Sequence, residues 1–385
     1  MTVNDIPTPA FVVYDDRIRR NLDIITDVER RAGVTIIMAF KANALWRTFD
    51  IFRQYGRKCT ASSLNELTLG REELGCYVHS YCPAYTDATI DAYLEGSSHI
   101  TFNSVAQWLR FKGRVDAYNA AHPERHVSAG LRVNPKCSVI ETDIYNPATP
   151  GSRFGANADE LADGLPDGLD GLHFHALCES TSYDLAKVLE AFERQFGHLL
   201  PRLKWLNMGG GHLMTRQGYD RDHLVGLLTD LRSRYPHLDI ILEPGSAFTW
   251  QTGDLLTSVV DIVSNDGIAT AIIDASFACH MPDTLEMPYK PAIAESLGDD
   301  AVPGMPTYRL GGNSCLSGDF KGDWSFAEPL SPGRRLTLLD MNHYTTVKTT
   351  MFNGIDHPAI WRVGSDGTPT LIRKFDYSDY KHRMS

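Results

Sequence analysis

The stretch Thr35-Ile36-Ile37-Met38-Ala39-Phe40-Lys41-Ala42-Asn43 runs apolar and partly β-branched from Gly33 to a single lysine. Such a run, with a glycine before it and a helix-like segment after it, predicts a buried strand. The cation at its far end has two readings: a side chain that snorkels to water, or an amine employed in chemistry. The choice between them turns on what the other strand ends carry.

An apolar strand, a polar residue at its end and an amphipathic helix recur along the chain. Strands are predicted at 35–41, 58–62, 78–82, 99–103, 128–133, 172–175, 205–208 and 240–242. Helices are predicted at 17–31, 46–55, 64–74, 87–95, 105–119, 182–196 and 222–235. Eight such units over roughly 210 residues match a (β/α)8 barrel. No early G-x-G-x-x-G turn marks the competing doubly wound dinucleotide fold. After Gly245 short strands at 255–263, 269–274, 307–310, 335–339, 360–363 and 370–375 alternate with Gly, Pro and Asp turns, which predicts a mostly β domain. The expected division is a barrel at 17–247 and a β domain of 1–16 with 248–385, the strand at 8–13 pairing with that second sheet.

The 385 residues are 43% hydrophobic and 22% charged, as expected of a globular protein. A net charge of −11 argues against a nucleic-acid partner and suits a cationic ligand. No apolar run approaches membrane-spanning length, and the first residues lack the design of a signal peptide. Seven cysteines without paired spacing fit reduced thiols and a cytoplasmic location.

In a barrel of this type the strand C-termini form one mouth, where active sites are built. Those ends carry Lys41, Ser62, Asn103, Arg132, His175, Gly209-Gly210-Gly211 and Glu243. Gly209, Gly210 and Gly211 are either a tight turn or a backbone cradle for a phosphate. His173 and His175 with Cys178 suggest zinc, but no fourth ligand stands at motif spacing, so no metal is expected. A flat imidazole at the mouth can instead stack on a planar cofactor. Glu243 is either an ion-paired cap or a carboxylate facing a pyridine nitrogen. A lysine, a glycine cradle and a glutamate together meet the separate needs of pyridoxal 5'-phosphate.

Ala39-Phe40-Lys41-Ala42-Asn43, Leu131-Arg132-Val133-Asn134-Pro135, His175-Ala176-Leu177-Cys178, Gly209-Gly210-Gly211, Glu243-Pro244-Gly245 and Cys315-Leu316-Ser317-Gly318-Asp319 occur in the order seen in fold-type III pyridoxal-phosphate decarboxylases. That group includes the ornithine, arginine and diaminopimelate enzymes. Thr60-Ala61-Ser62-Ser63-Leu64, Pro150-Gly151-Ser152-Arg153-Phe154-Gly155 and Cys279-His280-Met281-Pro282-Asp283 with Glu286-Met287-Pro288-Tyr289 resemble the carboxynorspermidine (carboxyspermidine) decarboxylase branch. The resemblance covers essentially the whole chain and implies an alanine-racemase-like barrel, pyridoxal phosphate as cofactor and a homodimer with shared sites.

It implies that Lys41 carries the cofactor, that His175 stacks on its ring, that Gly209 to Gly211 hold the phosphate and that Glu243 meets the ring nitrogen. Arg132 and Cys178 join the cofactor-binding set, Tyr344 resembles a tyrosine that reaches the phosphate, and Cys315 resembles a cysteine that enters the partner subunit's site. Read without that pattern, Cys315 is a buried structural thiol. Cys178 and Ser246 stand where ornithine-type relatives have serine and arginine, and Leu316 replaces an acidic residue. Substrate amines are therefore expected at Asp274, His280, Asp283 and Asp319. The implied reaction is decarboxylation of carboxynorspermidine or carboxyspermidine in polyamine biosynthesis. A diaminopimelate- or ornithine-type decarboxylase and an amino-acid racemase on the same plan are the alternatives.

Overall fold

The computed structural model describes residues 1–140 and 142–385. Two compact units emerge: Asn21–Phe248, and Met1–Arg20 together with Thr249–Ser385. The first strand, β1 (Ala10–Tyr14), belongs to the second unit; the helix after it, α1 (Asp15–Ala32), contains the boundary. Ile18, Leu22, Ile25, Val28 and Ala32 of α1 are buried at the three- and four-residue spacing of one helical face. Asp15 and Asp16 in its first turn and Arg30 and Arg31 in its last complement the helix dipole.

Unit Asn21–Phe248 is a parallel barrel. Its strands are β2 (Thr35–Ile36), β3 (Met38–Ala39), β4 (Cys59–Ala61), β5 (Val78–Tyr81), β6 (Ser97–Phe102), β7 (Ser128–Arg132), β8 (Gly171–His173), β9 (Trp205–Asn207) and β10 (Asp239–Leu242). The nine segments run β2-β10-β9-β8-β7-β6-β5-β4-β3. They correspond to eight expected strands because the first changes partner at Ile37. Thr35 and Ile36 pair with Ile241 and Leu242, whereas Met38 and Ala39 pair with Cys59 and Thr60. At the changeover the Ile37 amide donates to the Leu242 carbonyl at 2.9 Å and the Met38 amide to the Lys58 carbonyl at 3.0 Å. One nine-residue stretch thus joins both margins of the sheet.

The helices between strands are α2 (Phe49–Gln54), α3 (Leu64–Leu69), α4 (Ile90–Gly96), α5 (Val105–Ala121), α6 (Ser182–Phe196) and α7 (Arg221–Arg234). Ser63, Ser104, Thr181 and Asp220 cap four of them by accepting a backbone amide three residues on. The helix expected through residue 74 widens at Gly70–Leu74 into a π turn. The barrel interior is closed by aromatic packing. The His79 and His99 rings stack at 4.0 Å, and Trp205 meets His99 edge-on at 5.4 Å while its Nε1 donates to Ser128 Oγ at 2.9 Å. That indole fits because two neighbouring strands carry glycine. A Cβ on Gly130 or Gly171 would lie 2.1 or 2.0 Å from it.

The second unit holds β11 (Gly253–Asn265), β12 (Ile268–Ile273), β13 (Thr307–Gly311), β14 (Phe320–Ser325), β15 (Arg335–Leu338), β16 (Ala359–Val363) and β17 (Pro369–Arg373). Their order is β14-β13-β12-β11-β1-β16-β17, with β15 also on β11. β1 lies inside this sheet, antiparallel to β11 and parallel to β16, so the N-terminal strand does join the C-terminal domain. β14 was not anticipated: Gly322 and Asp323 lower its strand propensity, and its register on β13 shifts between Arg309 and Leu310. Among the described residues no helix is long and apolar enough to cross a membrane.

The tight fit of Trp205 is directly testable. Gly171→Ala should lower unfolding stability by about 2 kcal/mol, through overpacking against an indole that has no room to shift. Urea melts at neutral pH measure it, and a midpoint equal to that of the unsubstituted protein would contradict the packing.

Candidate active site

Lys41 lies in the turn just after β3, and the Phe40 amide still donates to the Thr60 carbonyl at 3.2 Å. Its side chain keeps solvent-accessible surface, yet protein surrounds it closely enough to desolvate the amine. This is the combination expected on the wall of a recess. That desolvation, with the nearby Arg132 charge, pushes the Lys41 pKa below the usual lysine range, while Glu243 opposes the shift. Its Nζ stands 3.5 Å from His175 Nε2.

The other face of His175 fixes its proton. The Gly210 amide donates to Nδ1 at 3.1 Å, which makes Nδ1 an acceptor and places the ring proton on Nε2. Burial and the adjacent Lys41 and Arg132 charges drive the His175 pKa well below its ordinary value, so the ring is neutral. The Nε2–H of the neutral ring therefore faces Nζ. Both shifts come from one arrangement: a desolvated amine beside a flat, uncharged imidazole.

Glu243 is buried at the end of β10. Asn207 Nδ2 donates to its Oε1 at 2.7 Å, and His173 Nε2 lies 3.7 Å from Oε2. Burial raises the carboxyl pKa, and the Asn207 hydrogen bond and the Lys41 charge pull it back. Arg132, also buried, donates to the His175 carbonyl at 3.3 Å and lies over the Tyr81 and Phe154 rings at 4.8 and 4.3 Å. The Cys178 amide donates to Ser180 Oγ at 3.2 Å, and burial raises the thiol to about 11, so it is protonated at neutral pH. His173 and His175 do not converge: the first stacks on Tyr81 at 5.4 Å beside Glu243, the second turns to Lys41. Asn103 binds internally, accepting from Tyr81 Oη and the Gly155 amide.

All three glycines after Met208 are sterically required. A Cβ on Gly209, Gly210 or Gly211 would lie 2.5, 2.6 or 2.3 Å from the carbonyl oxygens of Phe174, Glu243 and Leu177. Gly209 and Gly211 also have φ of +66° and +92°. Two of the three amides are engaged within the chain, Gly209 on Asn207 Oδ1 at 2.9 Å and Gly210 on His175 Nδ1.

In the other unit, three loops are stapled together. Asp319 accepts from Ser276 Oγ at 2.8 Å, the Ala278 amide at 2.9 Å, and the Ser314 amide and Oγ at 3.1 and 2.5 Å. The Cys315 amide donates to Asn353 Oδ1 at 2.8 Å, and the Thr350 amide donates to the Cys279 carbonyl at 2.8 Å. The Cys315 thiol itself is exposed, contrary to a buried structural role. Tyr344 takes a left-handed φ of +56° in the same loop that carries Asn353. Asp274 is engaged by Thr8 Oγ1, Thr257 Oγ1 and the Ser258 amide at 2.6 to 2.9 Å. His280 and Asp283 differ from it. His280 Nδ1 accepts from the Ser276 amide and Asp283 Oδ2 from Tyr289 Oη, but the buried His280 Nε2 and Asp283 Oδ1 have no hydrogen-bond partner among the described residues. Burial raises the Asp283 pKa and lowers that of His280 to about 4.

Asn207, Tyr81, Phe154 and Asn353 were missed as site residues. Asn207 alone had a signal, being an amide inside the apolar run Trp205-Leu206-Asn207-Met208. The donor set fits pyridoxal phosphate: a desolvated lysine for an aldehyde, a neutral imidazole for a ring face, a buried carboxyl group for a ring nitrogen, and a turn too tight for any side chain. Among the described residues no group of three or more His, Cys, Asp and Glu could hold a metal ion.

Fold and site together define a barrel enzyme of the pyridoxal-phosphate class. Residues 11–342 match the family model described as pyridoxal-dependent decarboxylase, C-terminal sheet domain. The chain is 45% identical to carboxyaminopropylagmatine decarboxylase of Synechocystis, over 99% of this chain and 96% of that protein. It is 36% identical to carboxynorspermidine/carboxyspermidine decarboxylase of Campylobacter jejuni over all of both chains. The crystal structure of C. jejuni carboxynorspermidine decarboxylase complexed with norspermidine superposes with a TM-score of 0.88 at 35% identity, covering 98% of this chain and all of that one. This chain belongs to the pyridoxal-dependent decarboxylase family, and pyridoxal phosphate is its cofactor.

The buried rings make the barrel acid-sensitive. His79, His173 and His175 are held well below 6.5 by burial, and His99 and His212 near 4. Between pH 4 and 6.5 the unfolded chain binds protons that the folded barrel refuses. Their stabilisation is therefore complete above about 6.5 and is lost as pH falls. Taking the protein from pH 7.5 to 5.5 should cost roughly 1 kcal/mol for each such histidine. Urea midpoints that do not fall over this interval would contradict neutral burial.

Proposed function

We propose that the chain removes the α-carboxylate of a carboxylated triamine, carboxynorspermidine or carboxyspermidine, and releases norspermidine or spermidine in polyamine biosynthesis. The reading is carried by full-length similarity to the C. jejuni enzyme together with a site that keeps Lys41, His175 and Glu243 in one cluster. A second substrate has its own support. The 45% identity to the Synechocystis enzyme favours carboxyaminopropylagmatine, whose far end is a guanidine rather than an amine. Seven cysteines without a disulfide support a cytoplasmic location.

Bound pyridoxal phosphate supplies an electron sink for the pair left behind when the carboxylate departs. Lys41 would contribute the desolvated amine that tethers the cofactor and frees the product. Glu243, oriented by Asn207, would hold a proton at the pyridine nitrogen, and His175 would lie against the ring. With the Gly209 and Gly210 amides already engaged, the phosphate contact narrows to the Gly211 end of the turn. Cys315 of a second copy in a homodimer returns a proton to the substrate α-carbon. Asp319 serves that step by positioning the Cys315 loop. A substrate amine falls to Asp283, whose Oδ1 has no partner among the described residues.

Purified protein with pyridoxal phosphate should release CO2 and the matching polyamine from carboxynorspermidine, carboxyspermidine or both. Turnover of carboxyaminopropylagmatine alone would move the assignment to the second reading. Turnover only of diaminopimelate or ornithine would overturn both. Cys315→Ala should lower kcat by about 100-fold with KM little changed, the scale of a lost general acid. A kcat within twofold of the unsubstituted enzyme would remove Cys315 from the reaction.

A further inference from the structure

We propose that Cys59 and Cys76 form a reversible disulfide, a modification site in the barrel wall apart from the decarboxylation machinery. Their sulfurs already lie 3.7 Å apart, although neither residue is used in the chemistry above. Cys59 is fully buried on β4, laddered between β3 and β5. Cys76 is half-buried, in the turn that follows the π-helical Gly70–Leu74 and precedes β5, so an oxidant can approach it from solvent. The space for the two sulfurs is made by a glycine, because a Cβ on Gly70 would lie 2.8 Å from Cys59 Sγ.

The two thiols are chemically unequal. Arg71 and Lys58 place positive charge near Cys76, and its contact with Cys59 favours the thiolate, lowering its pKa to about 7. The same contact, with burial, raises that of Cys59. A disulfide requires the sulfurs to close to about 2.05 Å. Cys59 is fixed on β4 by its pairing with Met38 of β3, so the movement falls to the Cys76 turn, where Gly75 has φ +76°.

With hydrogen peroxide as oxidant the step balances. The Cys76 thiolate attacks one peroxide oxygen, the O–O bond breaks, and the departing hydroxide takes a proton to leave as water, giving a sulfenic acid. Cys59 sulfur then attacks Cys76 sulfur, the S–O bond breaks, and the Cys59 proton leaves with that hydroxide as a second water. Both sulfurs are oxidised by one electron each, and a dithiol reductant reverses the change.

The test is cysteine mapping of the holoenzyme after brief exposure to hydrogen peroxide, with remaining thiols alkylated before digestion. The expected result is a peptide pair joined through Cys59 and Cys76, two hydrogens lighter, that disappears on dithiothreitol treatment. Cys76→Ser, which leaves the site residues untouched, should retain activity and yield no such pair. Recovery of Cys59 and Cys76 as free thiols when the exposed Cys315 has been oxidised would overturn the proposal. So would recovery of Cys76 solely as sulfinic acid. Mapping of the unsubstituted protein decides the matter even if the variant folds poorly.

Discussion

Closure of the barrel rests on how residues 35 to 40 share their hydrogen bonds. Thr35 and Ile36 complete the ladder of β10, and Met38 and Ala39 start the ladder of β4, with Ile37 donating to Leu242 between them. Among the described residues no other stretch serves two margins of the sheet. Because Phe40 is still held by the Thr60 carbonyl, the chain leaves the barrel in one defined direction, and Lys41 follows at its mouth. The amine's position is thus a consequence of ring closure rather than of contacts made by the lysine itself.

Electrostatic tuning follows from that placement. Lys41, His175 and Arg132 share a poorly solvated region, and each charge makes the others more costly. Arginine keeps its proton under such conditions, whereas lysine and histidine can give theirs up. The Gly210 amide then selects the histidine tautomer that faces Nζ with a proton. Gly210 can do this only because it lacks a Cβ, which would strike the Glu243 carbonyl. One glycine thereby links the imidazole to the strand that ends in the buried carboxylate.

The barrel and the members of this cluster were legible because parallel strands end at one mouth, so reading strand ends reads a site. Lys41, Arg132, His175 and Glu243 come from four strands distant in sequence yet meet for that reason alone. What stayed hidden was direction. Asp274 and Asp319 looked like carboxylates awaiting cationic ligands, since composition gives a charge but not the hydroxyls and amides that surround it. Asp319 is instead a four-donor hub between the 276–278, 314 and 319 segments. The partner change at Ile37 was equally invisible, because an uninterrupted apolar run fits one strand as well as two. β14 escaped for the opposite reason: Gly322 and Asp323 oppose strand formation, and only pairing with β13 overrides them.

The central claim is that Lys41 is the amine that carries the cofactor. Borohydride reduction of the pyridoxal-phosphate-loaded protein, followed by peptide mapping, tests it most directly. The account predicts that the phosphopyridoxyl mass is found on Lys41 and that Lys41→Ala gives none. The same mass on another lysine of the loaded protein, with Lys41 recovered unmodified, would contradict it.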